Sequence, residues 1–398
     1  MEYSTIEPWQ AVDLSGVIYD NGSLYAHFME MEDPRKDRGK RYRLETLLAL
    51  IFLAKMSGAD SPSAIAEWNK ERQTELIGWL HLSYERMPHH NTYRRVFADV
   101  IDEEQFEKEV RKYRMEQQGE TEIHILLFDG KRERGTIVPG ETQGEAFLAV
   151  YSPEQQAVMV QERIESEESE IPAAQRALGQ IDLAGKLVMG DAMHTHRALS
   201  AQIVERKGDY LWTVKENEPN TYHAIEELFA HPDPILGASD FQSAHRVNKG
   251  HGRIEERILT TSNLLNAYLD WPGIGQVFRL ERRFTFLRKG QTIRIEQMVH
   301  YGMTSLSRQR GDADHLLRMK RSYWLIETGL HYRRDVTFRE DYTRMSRPHA
   351  TRNLATIHNT ILALFAHLGL RNAAQARRYF DAHPETAFAM LLSAHPRL

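Results

Sequence analysis

Two aspartates in this 398-residue chain each close an apolar run. Asp129 ends EIHILLFD and is followed by Gly130 and Lys131, and Asp191 ends KLVMGD. Runs this rich in Ile, Leu and Val, stopped by turn residues, predict buried β-strands. Neighbouring strands lie about 5 Å apart, so carboxylates at adjacent strand ends can share a cation. Taken alone, each Asp also reads as a turn residue or a helix cap. A third acid, Glu327, sits in YWLIETGLHYRRD, where Glu327, His331 and Asp335 are spaced i, i+4, i+8 and share a face if one helix runs that far. Trp324 and Leu330 in the same stretch make a buried carboxylate there costly without a cation or partner, and a surface Glu–His–Arg network is the alternative.

Together, two strand-end Asp and a helical Glu are what a pair of hard divalent ions requires. Mg²⁺ prefers carboxylate oxygens. Two such ions about 4 Å apart activate a water or a 3′-hydroxyl and stabilise the leaving oxygen of a phosphodiester. The chain has no Cys, which excludes disulfides, thiolate zinc sites and a Cys nucleophile and fits a reducing cytosol. His194 and His196 closely follow Asp191, and without a third convergent ligand they read as neighbours of the site or surface residues rather than zinc ligands.

These acids need a scaffold. At about 150 residues per domain the length predicts two or three domains. Residues 33–43 (DPRKDRGKRYR) carry six Lys/Arg against two Asp, either a solvated turn or a phosphate-contacting arm. The run Leu44 to Ser57 predicts a helix too apolar for a surface position, and Pro62–Leu80 an amphipathic one. With Asn91–Phe97, whose Thr92, Arg94 and Arg95 can face DNA, and Asp102–Gln118, these predict a helical N-terminal domain, 1–118.

From 119 the texture changes. Strands are expected at 122–129, 145–151, 156–164, 186–191 and 209–215, with helices at 172–180 and 194–207. Three strands followed by strand–helix alternation predict a mixed α/β sheet with helices on both faces. Residues 240–303 return to strands, with a hairpin turn at Lys289-Gly290, and read as a β-rich insertion before helices at 312–333, 349–368 and 372–381. One catalytic domain, 119–398, would then hold the insertion and a helical part at 312–398.

The segments DPRKDRGKRYRLETLLAL (33–50), SAIAEW (63–68), FDGKRERG (128–135), GDAMHTHR (190–197), GDYLWTVKENEP (208–219), HGRIEER (251–257) and WLIETGLHYRRDVTFRED (324–341) resemble bacterial insertion-sequence transposases of the H-repeat-associated type. That family lies in the DDE group, with a ribonuclease-H-like catalytic domain. The resemblance implies that Asp129, Asp191 and Glu327 bind two Mg²⁺ or Mn²⁺ ions. It places a phosphate-contacting basic residue seven positions after the Glu, which is Arg334 here. The signature's Arg four before the Glu is Tyr323, and its Tyr three further back is Lys320. Where the family has Lys-Gly-Asn-Gln after a strand, this chain has Lys215, Glu216, Asn217 and Glu218. Lys131, Lys215, Asn217, Lys249, His251, Arg253, Lys320, Tyr323, His331 and Arg334 are the expected DNA contacts, and His194 is expected to support the metal ligands. For Lys249, His251 and Arg253 a solvated β-turn is the alternative, and for Lys215 and Asn217 a helix-leading loop.

The net charge of −5 argues against nucleic acid only superficially. Arg318 to Arg378 carry twelve Lys/Arg against four Asp/Glu, whereas 162–170 (ERIESEESE) holds five Glu and one Arg. A basic C-terminal layer beside an acidic metal centre suits phosphodiester chemistry, although an acidic protein partner would also suit the basic patch. No run of 18 apolar residues and no secretory pattern is present, so a cytoplasmic, nucleoid-associated bacterial protein without a membrane partner is expected. By analogy it would act as a homodimer on double-stranded DNA, both element ends and target. The alternatives are a host-adopted metal-dependent nuclease of the same fold and a DNA-binding protein whose acidic site no longer turns over.

Overall fold

The computed structural model describes residues 9–118, 122–137, 144–165, 168–231, 240–250, 252–289, 291–342, 345 and 347–398. Helix Leu44–Met56 is buried at all 13 positions, Glu45 and Lys55 included, as expected of a helix apolar on every side. Leu24–Met29, Pro62–Glu71, Glu103–Gln118, Pro348–His367, Ala373–Ala382 and Pro384–Leu392 surround it. Ser61 caps the second of these by accepting from Ala64 N–H, with Pro62 at its first turn. The amphipathic run expected at 62–80 is two helices, broken at Arg72.

After a short hairpin, β1 (Gln10–Val12) with β2 (Ile18–Asp20), nine strands form one sheet. They are β3 (Ile125–Arg132), β4 (Ala146–Ser152), β5 (Ala157–Ile164), β6 (Leu187–Met189), β7 (Asp209–Val214), β8 (Gln242–Gly250), β9 (Arg253–Ser262), β10 (Gln276–Arg288) and β11 (Gln291–Thr304), in the order β5-β4-β3-β6-β7-β11-β10-β9-β8. β4 runs antiparallel to both of its neighbours β3 and β5, β6 and β7 run parallel to β3, and β11 returns antiparallel to β7. The fold is therefore a mixed α/β sheet. Its strand-rich segment extends the same sheet instead of forming a separate one.

Side-chain alternation sends successive residues of each strand to opposite faces. Leu127, Ala149, Tyr151, Met189 and Leu211 join a core with Leu47, Phe106, Ile361 and Phe380, so helices from both chain ends cover one face together. Leu126, Phe128, Leu148 and Val188 meet Leu178, Leu199 and Ile203 from helices Glu170–Gly179 and Arg197–Glu205 on the other face. No helix of the described residues is long and apolar enough to cross a membrane.

Candidate active site

β3 and β6 pair in parallel, with Leu127 opposite Met189. Two residues beyond that rung stand Asp129 and Asp191, on adjacent strand paths. β6 stops at Met189, but β3 continues to Arg132 along β4, with Asp129 opposite Ala149. Asp129 is thus mid-strand toward β4 and past the strand end only toward β6, which corrects the expectation that it ends its strand.

Asp191 caps the single turn Ala192–His194, its Oδ1 accepting from Met193 N–H at 2.9 Å. Fully buried His194 lies with Nδ1 2.7 Å from Asp191 Oδ1 and Nε2 3.1 Å from Glu170 Oε2. Burial opposes charge on this ring, but the two carboxylates outweigh it and push His194 up to about 9. Burial likewise opposes ionisation of Asp191, and its bonds with His194 and Met193 N–H more than offset that, holding the carboxyl below its ordinary range.

Glu170, first residue of its helix, was not expected at the site. It lies directly over Gly130, where an added Cβ would come within 2.4 Å of its carboxyl carbon. The glycine after Asp129 is what admits this fourth acid. In sequence Glu170 is one more Glu of an acidic run, and only its place at a helix start after a strand set it apart.

The segment carrying Glu327 departs from the single helix expected over 312–333. Ala313–Ser322 is α-helical, and Glu327–His331 and Arg333–Thr337 are π-turns with i→i+5 bonding. Three alternate residues of β3 and its continuation meet this segment. Asp129 Oδ2 is 3.3 Å from His331 Nε2, Lys131 Nζ is 2.7 Å from Asp335 Oδ1, and Glu133 Oε1 is 2.6 Å from Arg334 Nη2. Gly329 permits the close approach, since a Cβ there would sit 2.6 Å from the Tyr151 hydroxyl of β4.

Glu327 itself is solvent-exposed. Its charge, with those of Asp129, Asp191 and Glu170, nevertheless acts on one phenol, Tyr323, which burial first and these four carboxylates next push upward. Tyr323 thus lies within the electrostatic reach of all four acids. Among the described residues no three His, Asp or Glu side chains converge as a metal cluster.

Residues 25–114 match the family model described as DDE_Tnp_1-associated. Over 351 residues the chain is 28% identical to "Putative transposase YncI" of Escherichia coli O157:H7, covering 86% of this chain and 87% of that one. Over 332 residues it is 24% identical to "H repeat-associated putative transposase YhhI" of Escherichia coli K12, covering 82% and 86%. The chain is similar over most of its length to putative transposases, an H-repeat-associated one among them. Among solved structures, the cryo-EM piggyBac transposase synaptic complex with hairpin DNA aligns over 92% of this chain and 77% of that one, at 10% identity and a TM-score of 0.44.

Of the DNA contacts expected for an H-repeat-associated transposase, three lie where DNA does not reach. Arg334 is 1% exposed, clamped between Glu133 and Glu340 at 2.6 and 2.5 Å. Lys131 is 8% exposed and pairs with Glu133 and Asp335. His331, 6% exposed, faces Asp129. Each loses its assignment to phosphate, because an enclosed side chain that bonds or faces carboxylates offers no surface to a polyanion.

Lys320 is half-buried with Nζ on the Thr213 hydroxyl of β7, and burial, opposed by Asp191 and aided by Lys215 and Arg282, pushes it down to about 8. Its cation sits over the ring of Tyr323, 5.8 Å from the centroid. Lys215, Lys249 and Arg253 are exposed, Arg253 lying over Phe284. Asn217 donates to Ala192 O at 2.8 Å, tying the loop after β7 to the turn that Asp191 caps. His251 lies outside the described residues.

Proposed function

We propose that this chain is a DDE transposase, cutting DNA at element ends in a metal-dependent step and joining the freed 3′-hydroxyl to target DNA. One observation carries the reading: Asp129 and Asp191 each stand two residues past the paired Leu127–Met189 rung of parallel strands, and the segment bearing Glu327 meets Asp129 through His331, whose Nε2 is 3.3 Å from Asp129 Oδ2. The strand order β5-β4-β3-β6-β7, antiparallel then parallel, supports a ribonuclease-H-like catalytic core. The names of the relatives, putative transposases, point the same way.

The donors are carboxylate oxygens, and Asp191 is held in its ionised form, so the set suits hard divalent ions in its chemistry. Asp129, Asp191 and Glu327 would hold Mg²⁺ or Mn²⁺, which supplies activation of the attacking oxygen and stabilisation of the leaving one. His194, bonded to Asp191 and Glu170, fixes the orientation of the Asp191 carboxylate. Asn217 anchors the loop that follows Lys215, and Lys215, Lys249 and Arg253 are exposed cations that would contact DNA backbone. Two ends cut in concert call for a homodimer on DNA, and such a protein would work at the nucleoid.

The test is nicking of supercoiled DNA bearing the flanks of the coding region, with Mg²⁺ or Mn²⁺. Wild type nicks, and Asp129→Ala, Asp191→Ala and Glu327→Ala each lose at least about 10²-fold in rate. Failure of wild type to cut either these ends or nonspecific DNA with either ion sinks the reading.

A further inference from the structure

Away from the acidic centre, a cavity of about 340 Å³ opens between helix His90–Arg95 and the start of helix Pro348–His367. Arg94, Arg95 and Arg347 line it, with Asn91 beside them and Asp99 as the one acid among the described lining residues. Arg347 is paired with Asp99. Arg94 and Arg95 are exposed and carry no carboxylate partner among the described residues.

The backbone here is built to hold that arrangement. Directly after Arg95 the chain forms a π-turn, Val96–Val100, closed by Ile101 N–H on Val96 O at 3.1 Å. Such turns are rare and recur at functional sites. This one is held from across the cavity, because buried Asn353 donates to Phe97 O at 3.0 Å and Ile101 O at 3.3 Å. The wall that carries Arg94 and Arg95 is thus fixed to the wall that carries Arg347.

We propose that this cleft grips the phosphate backbone of duplex DNA at a second site, separate from the acidic centre. Three guanidiniums on two helices, with one acid among them, leave an excess of positive charge facing one space. Guanidinium forks suit phosphate oxygens. Cations from two walls suit an extended polyanion held from both sides. The proposal rests on the transposase reading for its choice of DNA as the ligand.

The experiment uses the full-length chain and a fluorescein-labelled 40-base-pair duplex of arbitrary sequence, followed by anisotropy over a series of salt concentrations. In the Arg94→Gln/Arg95→Gln variant, affinity near 0.1 M salt falls roughly tenfold per arginine and the slope of log K against log salt is shallower by about 2. Asp99→Asn frees Arg347 and removes the negative charge that faces the arginines, so it binds more tightly than wild type, an increase that mere loss of folding cannot produce. Wild-type Kd and slope in both variants, with the wild type binding DNA, overturn the cleft and leave the transposase reading standing. Displacement of the duplex by millimolar inorganic phosphate at constant ionic strength marks a free-anion pocket and overturns it too. If the wild type binds no DNA at low salt, the transposase reading itself fails.

Discussion

His331 Nε2 lies 3.3 Å from Asp129 Oδ2, so the segment that carries Glu327 is fastened to the strand that carries the first aspartate. The two neighbouring rungs, Lys131 to Asp335 and Glu133 to Arg334, repeat the fastening at the strand's two-residue period. Basic residues that looked suited to DNA are spent on this internal alignment. The acids they align are not adjacent in sequence, and these contacts fix how strand and segment meet.

Arg334 tests that alignment. Arg334→Ala leaves Glu133 and Glu340 buried without their shared cation and should cost about 3–5 kcal/mol in urea unfolding. Arg334→Lys keeps the charge but not the two-pronged geometry and should fall between. The salt dependence of DNA binding should not change in a folded Arg334→Lys protein; a shallower slope would return Arg334 to the phosphate.

Gly329 and Tyr151 should behave as a coupled pair. Gly329→Ala drives a methyl into the Tyr151 hydroxyl, which is 2.6 Å from the new atom, and should destabilise by about 1–3 kcal/mol while slowing DNA cleavage. Adding Tyr151→Phe removes the oxygen in the way. The double variant should recover at least half of the loss, and strict additivity of the two substitutions in unfolding free energy would refute the contact.

Acid stability should depend on His358. Its ring is fully buried, with Nε2 3.2 Å from Lys55 Nζ and Nδ1 3.3 Å from Glu340 Oε1. Burial, reinforced by Lys55 and opposed by Glu340, pushes it down to about 3. In the unfolded chain the same imidazole takes a proton near pH 6.5. Acidification from 6.5 toward 3 therefore adds a proton to the unfolded state only, and stability falls by up to about 1.4 kcal/mol per pH unit. Glu340, held well below its ordinary range against the cost of burial by Arg334 and His358, adds a further loss only below about pH 4.5. In His358→Gln the decline between pH 6.5 and 4.5 should flatten, as read from urea midpoints.

Asp191 has a structural task besides the proposed chemical one. Asp191→Asn keeps an oxygen to cap Met193 N–H, whereas Asp191→Ala loses it and should cost about 0.5–2 kcal/mol more in stability. Both should lose nicking alike. Activity in the Asn variant near wild type would separate the carboxylate from the chemistry.

Much of the scaffold was legible because burial writes itself into local pattern. The helix at Leu44–Met56 and strands β3, β6 and β7 announce themselves as apolar runs. The two aspartates stand out because a charge abruptly follows such a run. Arg334 was misread because spacing reports periodicity and not partners, and Glu133 lies 201 residues away. The π-turns escaped because a 3.6-residue period was assumed over 312–333 and, for the face shared by Glu327, His331 and Asp335, two residues beyond. Glu170 looked like solvated charge in an acidic stretch, and its place at the site follows from the lack of a side chain at Gly130, 40 positions earlier. That helices from both chain ends share one core is a long-range fact without a local signature.

β11 pairs with β10 along its length but with β7 only from Tyr301 to Thr304. Its other ten residues project beyond β7, an arm of about 30 Å at the usual rise per residue. At its root, β7 leads into the loop whose Asn217 holds the Asp191 turn. The arm is joined to that turn by the four β11–β7 pairs and by the side-chain bond from Asn217 to Ala192 O. One short ladder and one amide side chain are therefore the hinge between the longest hairpin of the sheet and the turn that holds Asp191.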